Sequence, residues 1–466
     1  MAFDPNEKSS QPITKFESML KTDDIYFFDA EDFEDIIHHY LNNGKIALAK
    51  KAVSISMQQH PNNLELKLLK VEILVFENDL IGAEHLLDEL QYLDKGNEEI
   101  LIQRANIYSK KDDHKTAITH LQTALQLTDD TADIHALLGM EYLFLDDYKS
   151  AKDAFINCVQ LDVNDVASLY NVIYCFEILE DFDNAILFLN DYLEQNPYSE
   201  IAWHQLGKQY YAKKLYKEAI TAFDFAIIAD DEFVGAYYEK GKTLEKLGRY
   251  NEAIDNYEAT ITIEDPTSHA YLRMGKCHEK LENYDLAKYF YYQTVHEDPL
   301  LDKGWLAITK FYLRKKKFDK ALYYVNKAIN IDGENASYWK ICGEINAALG
   351  HLDEADFAFK QAVDLGNYEK NTWLSWAKVV QGIDEVASAI QILTQGQEFY
   401  PEEPVFGYTL VGLHLKLNDT LKAKATLQKA LTLDTAQLSE LTTNFKEYSS
   451  LTWVNNIISD FRKASE

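Results

Sequence analysis

The chain has 466 residues, 47% of them hydrophobic and 26% charged, a composition that can bury a substantial core and is not that of a disordered protein. Its 46 basic and 76 acidic residues leave a formal charge of −30, which argues against nucleic acid or an anionic membrane as the main partner. There is no apolar run of signal-peptide or membrane-spanning length, and Cys158, Cys175, Cys277 and Cys342 are scattered without a CxxC pair, which together favour a soluble, reducing compartment, the cytoplasm.

Residues 1–13, with Ser, Gln and Pro, read as a disordered tail, and residues 14–28 as a short helix that caps the helices after it, so that 1–29 form a tail and cap. The stretch Thr22–Asp35, TDDIYFFDAEDFED, sets Tyr26, Phe27 and Phe28 among seven acids: Asp23, Asp24, Asp29, Glu31, Asp32, Glu34 and Asp35. The preferred reading is an end cap whose aromatics cover the first helices. The alternative is a groove ligand for a second copy of the chain, which would hold a homo-oligomer together.

From Ala49 a step of 34 residues meets alanine twelve times: Ala49, Ala83, Ala117, Ala151, Ala185, Ala219, Ala253, Ala287, Ala321, Ala355, Ala389 and Ala423. No insertion interrupts the series, so an internal repeat organises residues 30–437. Four residues after each alanine stands an apolar or aromatic residue, such as Phe223 or Tyr257, and three further on a small one recurs, such as Ala226 or Cys158. That i, i+4, i+7 spacing is one face of a helix. A second stripe precedes it: Trp203, Leu206, Gly207 and Tyr210 in one copy, then Tyr237, Gly241 and Leu244, then Tyr271, Met274, Gly275 and His278. Glycine in a helix costs roughly 1 kcal/mol against alanine, so close packing of a companion helix must offset it. Pro61, Pro197, Pro299 and Pro401 share one phase and end the second helix. Each unit is therefore helix A, turn, helix B, turn, and only stacking makes a continuous core. One more step of 34 reaches Ile457 rather than alanine, but Phe461 and Ala464 keep their places, so 438–466 read as a worn thirteenth unit or C-terminal cap.

Catalytic signals are absent. Gly241-Lys242-Thr243 lacks the earlier glycine of a phosphate loop and falls inside helix A at the packing phase. The 13 histidines form no HExxH and no zinc spacing with cysteine. No cofactor or metal site is expected, and no enzyme activity.

The pattern resembles the tetratricopeptide repeat family, W-x2-L-G-x2-Y…A-x3-F…A…P, as twelve consecutive repeats over about 30–437. The match is strongest from Trp203 to Ala362 and looser before residue 130, where Lys67 and Leu101 replace the helix A aromatic. The resemblance implies an all-α, right-handed superhelical solenoid with terminal caps, and a concave groove lined by one side of helix A. Just after the packing glycine that side carries Lys208, Lys242, Lys276, Lys310 and Lys378, with Glu344 breaking the series; four residues on stand Lys246, Lys280 and Arg314. His204, Tyr211, Tyr238, Leu272, Leu306 and Lys340 are the neighbouring groove positions. The charge is uneven, 15 basic to 38 acidic over 1–200 and 31 to 38 over 201–466, so the lysine column stands in the less acidic part. Such a column suits an acidic peptide or a terminal carboxylate. Against this, Glu239, Glu245 and Glu279 lie on or near the same face, and helix C-termini favour cations in any case. The expected function is a non-catalytic scaffold or adaptor holding a protein segment; the alternative is a structural part of a larger assembly that binds through convex or end surfaces.

Overall fold

The computed structural model describes residues 6–22, 26–263, 267–449 and 451–465, and among these it has helices and turns but no strand. The chain forms two compact units, 1–197 and 198–466. The first holds an N-terminal helix and repeats 1 to 5; the second holds repeats 6 to 12 and the C-terminal helices. In repeat 6, helix A is Glu200–Ala212 and helix B is Tyr216–Ala229; in repeat 7 they are Val234–Lys246 and Tyr250–Ile263. Every alanine of the 34-residue series is fully buried.

The packing glycines have a specific partner. A Cβ on Gly139, Gly207, Gly241, Gly275 or Gly343 would stand 2.5–3.0 Å from the ring of Phe155, Phe223, Tyr257, Tyr291 or Phe359, the helix B residue sixteen positions later. Where the helix A position is larger, the partner is aliphatic: Ile37 with Val53, Val71 with Leu87, Ala105 with Leu121, Ile173 with Leu189, Thr309 with Val325, Ala377 with Leu393 and Val411 with Leu427. A fixed volume is thus shared between the two helices of each pair, as close packing requires.

Helix A ends the same way in all twelve repeats. The residue at one phase is left-handed: Gly44, Asn78, Asp112, Asp146, Glu180, Lys214, Gly248, Glu282, Lys316, Gly350, Asp384 and Asn418, with φ between 51° and 81°. The next amide then donates to the carbonyl five residues back, as Lys45 to Tyr40 at 2.8 Å and Glu385 to Val380 at 3.2 Å. This closure satisfies an orphan carbonyl and reverses the chain within a few residues. Where that next residue is Asp79, Asp113, Asp147 or Asp419, its carboxylate also accepts from an amide in the first turn of helix B. Helix B stops two residues before each proline of the shared phase, at Gln59, Gln195, Glu297 and Phe399.

The N-terminal helix runs Asn6–Thr22, so it begins inside the stretch expected to be disordered and stops short of residue 28. Phe16 is its buried anchor, with ring centroids 5.9 Å from Phe28, 6.4 Å from Phe33 and 6.1 Å from Tyr40. Phe28 is buried, its amide donates to Gln59 Oε1 at 3.1 Å, and Gln59 Nε2 donates to the Tyr26 carbonyl at 2.8 Å. Phe28 and Phe33 are buried in the core cluster of the chain's own first repeat, whereas Phe27 is exposed. Asp23 and Asp24 lie outside the described residues. At the other end, Phe445 lies over Gly412, and Leu441 and Val454 are buried in the last core cluster, against which Ile457 and Phe461 pack. The side chain of Ala464 is not among those described.

Candidate functional site

Gly241-Lys242-Thr243 lies in the middle of Val234–Lys246, with Gly241 under the Tyr257 ring and the buried Thr243 hydroxyl donating to the Glu239 carbonyl at 2.8 Å. These groups serve packing and have no free amide to offer a phosphate.

Repeats 8, 9 and 10 follow with A helices Ser268–Lys280, Asp302–Arg314 and Ala336–Leu349. Because helix A has the same phase in each repeat, residues one step of 34 apart line up on adjacent helices. The A helices of repeats 7 to 10 enclose a cleft of about 740 Å3. Six of the expected groove residues line it: Lys242, Lys246, Lys276, Lys280, Leu306 and Lys310. Arg273 and Lys303 join them, and Asn335, Ser337 and Tyr338 close one side. Arg273 lies three residues before Lys276, and Lys303 lies three before Leu306 and seven before Lys310. The period that reveals the lysine column, continued one or two turns toward each helix N-terminus, reaches both.

Two acids stand in the cleft, and both are already engaged. Glu245 accepts from the Tyr257 hydroxyl at 2.6 Å and from Arg273 at 3.3 Å. Glu279 accepts from the Tyr291 hydroxyl at 2.8 Å and is paired with Arg314. Burial, and then the neighbouring carboxylate, pushes both phenols well above the ordinary tyrosine range, so they stay protonated and donate. Lys246, Lys276, Lys280, Lys303 and Lys310 have no ion-pair partner among the described residues. Lys276 remains accessible, yet its ammonium is pushed below the usual lysine range, by burial first and by Arg273, Lys310 and Lys303, with Glu245 opposing. Positive charges are crowded here in a chain that is acidic overall.

The remaining expected residues have other surroundings. Lys242, though at the cleft, is paired with Glu239 at 2.7 Å and lies 5.7 Å and 5.9 Å from the ring centroids of Tyr211 and Tyr238. It thereby ties those two tyrosines into one cation–aromatic cluster. Lys208 donates to Gln205 at 3.2 Å. His204 is enclosed between the Phe223 and Phe233 rings, at 5.8 and 5.2 Å. Burial first, and then Lys208 and Lys242, pushes its imidazole down to about 4, so it is neutral at pH 7 and adds no positive charge. Leu272, expected at a groove position, is buried in a core cluster that also holds Ala287 and Tyr291 and is not among the residues lining the cleft. Arg314 is bound to Glu279, and Lys340 to Glu369 at 2.7 Å. Lys378 lines a separate cleft of about 430 Å3 with Lys416 and Phe445.

Among the described residues no group of three or more His, Cys, Asp or Glu is placed to hold a metal ion, and no helix is long and apolar enough to cross a membrane. All four cysteines are free and buried.

Comparison with known proteins finds repeat families along the chain. Residues 98–131 and 132–165 match one tetratricopeptide repeat profile, and 238–301 match another. Residues 179–260 match the family of anaphase-promoting complex, cyclosome, subunit 3. A DnaJ homolog subfamily C member 7 homolog of Schizosaccharomyces pombe is 25% identical over 182 residues, which is 33% of this chain and 38% of that protein. The chain thus spans well under half of that relative's length. Among solved structures, the APC/C hetero-tetramer Cut9-Hcn1 is 16% identical, covering 91% of this chain and 94% of that one, with a TM-score of 0.39. The C-terminal part of a TPR repeat-containing protein from Cytophaga hutchinsonii is 19% identical, covering 51% and 98%, with a TM-score of 0.44.

Proposed function

We infer, on the premise that this chain belongs to the tetratricopeptide-repeat superfamily, that it is a non-catalytic interaction scaffold that holds an acidic segment of a partner protein in the basic cleft of repeats 7 to 10. The observation that carries the reading is the set of five lysines, Lys246, Lys276, Lys280, Lys303 and Lys310, that share the cleft without a carboxylate partner among the described residues. Crowded cations disfavour the empty state, and an anionic ligand relieves that repulsion while accepting charge-assisted hydrogen bonds. Leu306 and Tyr338 give the same cleft an apolar wall, which suits a segment that mixes acids with an apolar residue. The buried thiols and the lack of a membrane-crossing helix among the described residues fit a cytoplasmic setting.

The test is charge reversal, Lys276→Glu and Lys310→Glu together with Lys242→Glu, read by fluorescence anisotropy with a labelled aspartate- and glutamate-bearing peptide. The expected result is a loss of at least about tenfold in affinity, with a steep salt dependence in the parent chain. Unchanged affinity in the triple variant would falsify the site. A second reading, a fixed part of a larger assembly, draws on the match of residues 179–260 to the family of a complex subunit. That reading predicts a constant set of co-purifying chains that survives the triple reversal.

A further inference from the structure

No lysine stands at the same groove position in the first unit. At the phase occupied by Lys208, Lys242, Lys276 and Lys310, repeats 1 and 2 carry His38 and Glu72. Helix A is Ala30–Asn42 in repeat 1, Leu64–Phe76 in repeat 2 and Glu98–Lys110 in repeat 3, and these three helices form a cleft of about 380 Å3. Its wall carries the carboxylates of Glu34, Glu65, Glu72, Glu98 and Glu99, none with an ion-pair partner among the described residues. His38 is the one basic side chain lining it among the described residues. Burial is the first cause that raises the carboxyls of Glu34, Glu72 and Glu99 above their ordinary range, and neighbouring carboxylates add to it for Glu34 and Glu99.

A second feature is independent of charge. Gln103, only 6% exposed, lines the cleft; its Nε2 donates to Glu99 at 2.8 Å, and its Oε1 has no partner. A buried acceptor without a donor is costly, and a ligand N–H would satisfy it. Leu68 and Leu69 supply an apolar floor beneath the acids. An apolar floor, a ring of carboxylates and an unpaired buried acceptor match a lysine or arginine side chain, whose methylene stem lies on apolar surface while its head donates several hydrogen bonds. A bare metal ion does not fit, because no group of three described ligands converges on one point.

We propose that the acidic cleft on the A helices of repeats 1 to 3 is a second docking site, which takes a lysine- or arginine-bearing segment of a partner protein. It stands on residues of the first unit only, so it holds or fails independently of the basic cleft.

The experiment uses the full chain and a labelled peptide alternating lysine and leucine, followed by anisotropy, with the glutamate-for-lysine peptide as control. Glu72→Gln with Glu99→Gln should weaken binding about tenfold or more, and Gln103→Leu, which leaves the charge unchanged, should weaken it severalfold. Asp129→Asn with Asp130→Asn removes equal charge at an exposed loop and should leave affinity unchanged, as should the triple lysine reversal in repeats 7 to 9. Relief of carboxylate crowding should raise the melting temperature of Glu72→Gln with Glu99→Gln, which separates lost binding from lost folding. Equal weakening by the loop pair, no weakening by the cleft pair, or displacement of the peptide by spermidine at matched charge would each overturn the proposal.

Discussion

Replacing Gly207 by alanine would put a methyl group 2.5 Å from Cε1, 2.7 Å from Cδ1 and 2.8 Å from Cζ of Phe223. Phe223 is fully buried, so its ring has no solvent side to move into. Overpacking of this kind costs about 1–3 kcal/mol. Phe223→Leu alone leaves a void, at roughly 1–2 kcal/mol, between the costs of Ile→Val and Phe→Ala. The double variant recreates pairs that the chain already uses, Ala105 with Leu121 and Ala377 with Leu393. It should therefore be less destabilised than the sum of the singles, with a coupling of about 1–3 kcal/mol. Because a repeat array need not unfold in one step, urea denaturation should be paired with hydrogen exchange of helices Glu200–Ala212 and Tyr216–Ala229. Trp203, stacked on Phe225 at 4.6 Å, is a fluorescence probe in the same repeat. If the two effects add within about 0.5 kcal/mol, the shared-volume account of these helix pairs is wrong.

Two further outcomes rest on local geometry. Lys316 holds φ at 51° in the turn of repeat 9, a conformation that glycine adopts freely, so Lys316→Gly should raise stability by about 0.5–1 kcal/mol in urea unfolding, net of the added chain entropy. Burial pushes the thiols of Cys158, Cys175 and Cys342 up to about 11 and that of Cys277 to about 12, so little thiolate forms at pH 8. A disulfide reagent should then react slowly with all four in the native chain and rapidly in denaturant; one fast native thiol would contradict this burial.

The sequence by itself determined the helix pairs, their number and their register. Alanine at every step of 34 residues is a pattern that only a stacked repeat explains, because a small side chain at a fixed phase lets the next helix approach closely. It also located the lysine column, since a column is a consequence of phase. The left-handed residue in each turn suits glycine, asparagine or aspartate, but Glu180, Lys214, Glu282 and Lys316 enter that region under the demand of chain reversal, not by preference. Tertiary structure decided which charges are spoken for. Arg314 and Lys340 are taken by Glu279 and Glu369, the latter pair 29 residues apart, while Lys246, Lys276 and Lys310 keep no such partner among the described residues. It also buried Leu272 and drew Arg273 and Lys303 into the cleft. Phase along a helix is a local property that residue spacing carries; the pairing of charges between helices depends on distances in space, which the order of residues along the chain does not contain.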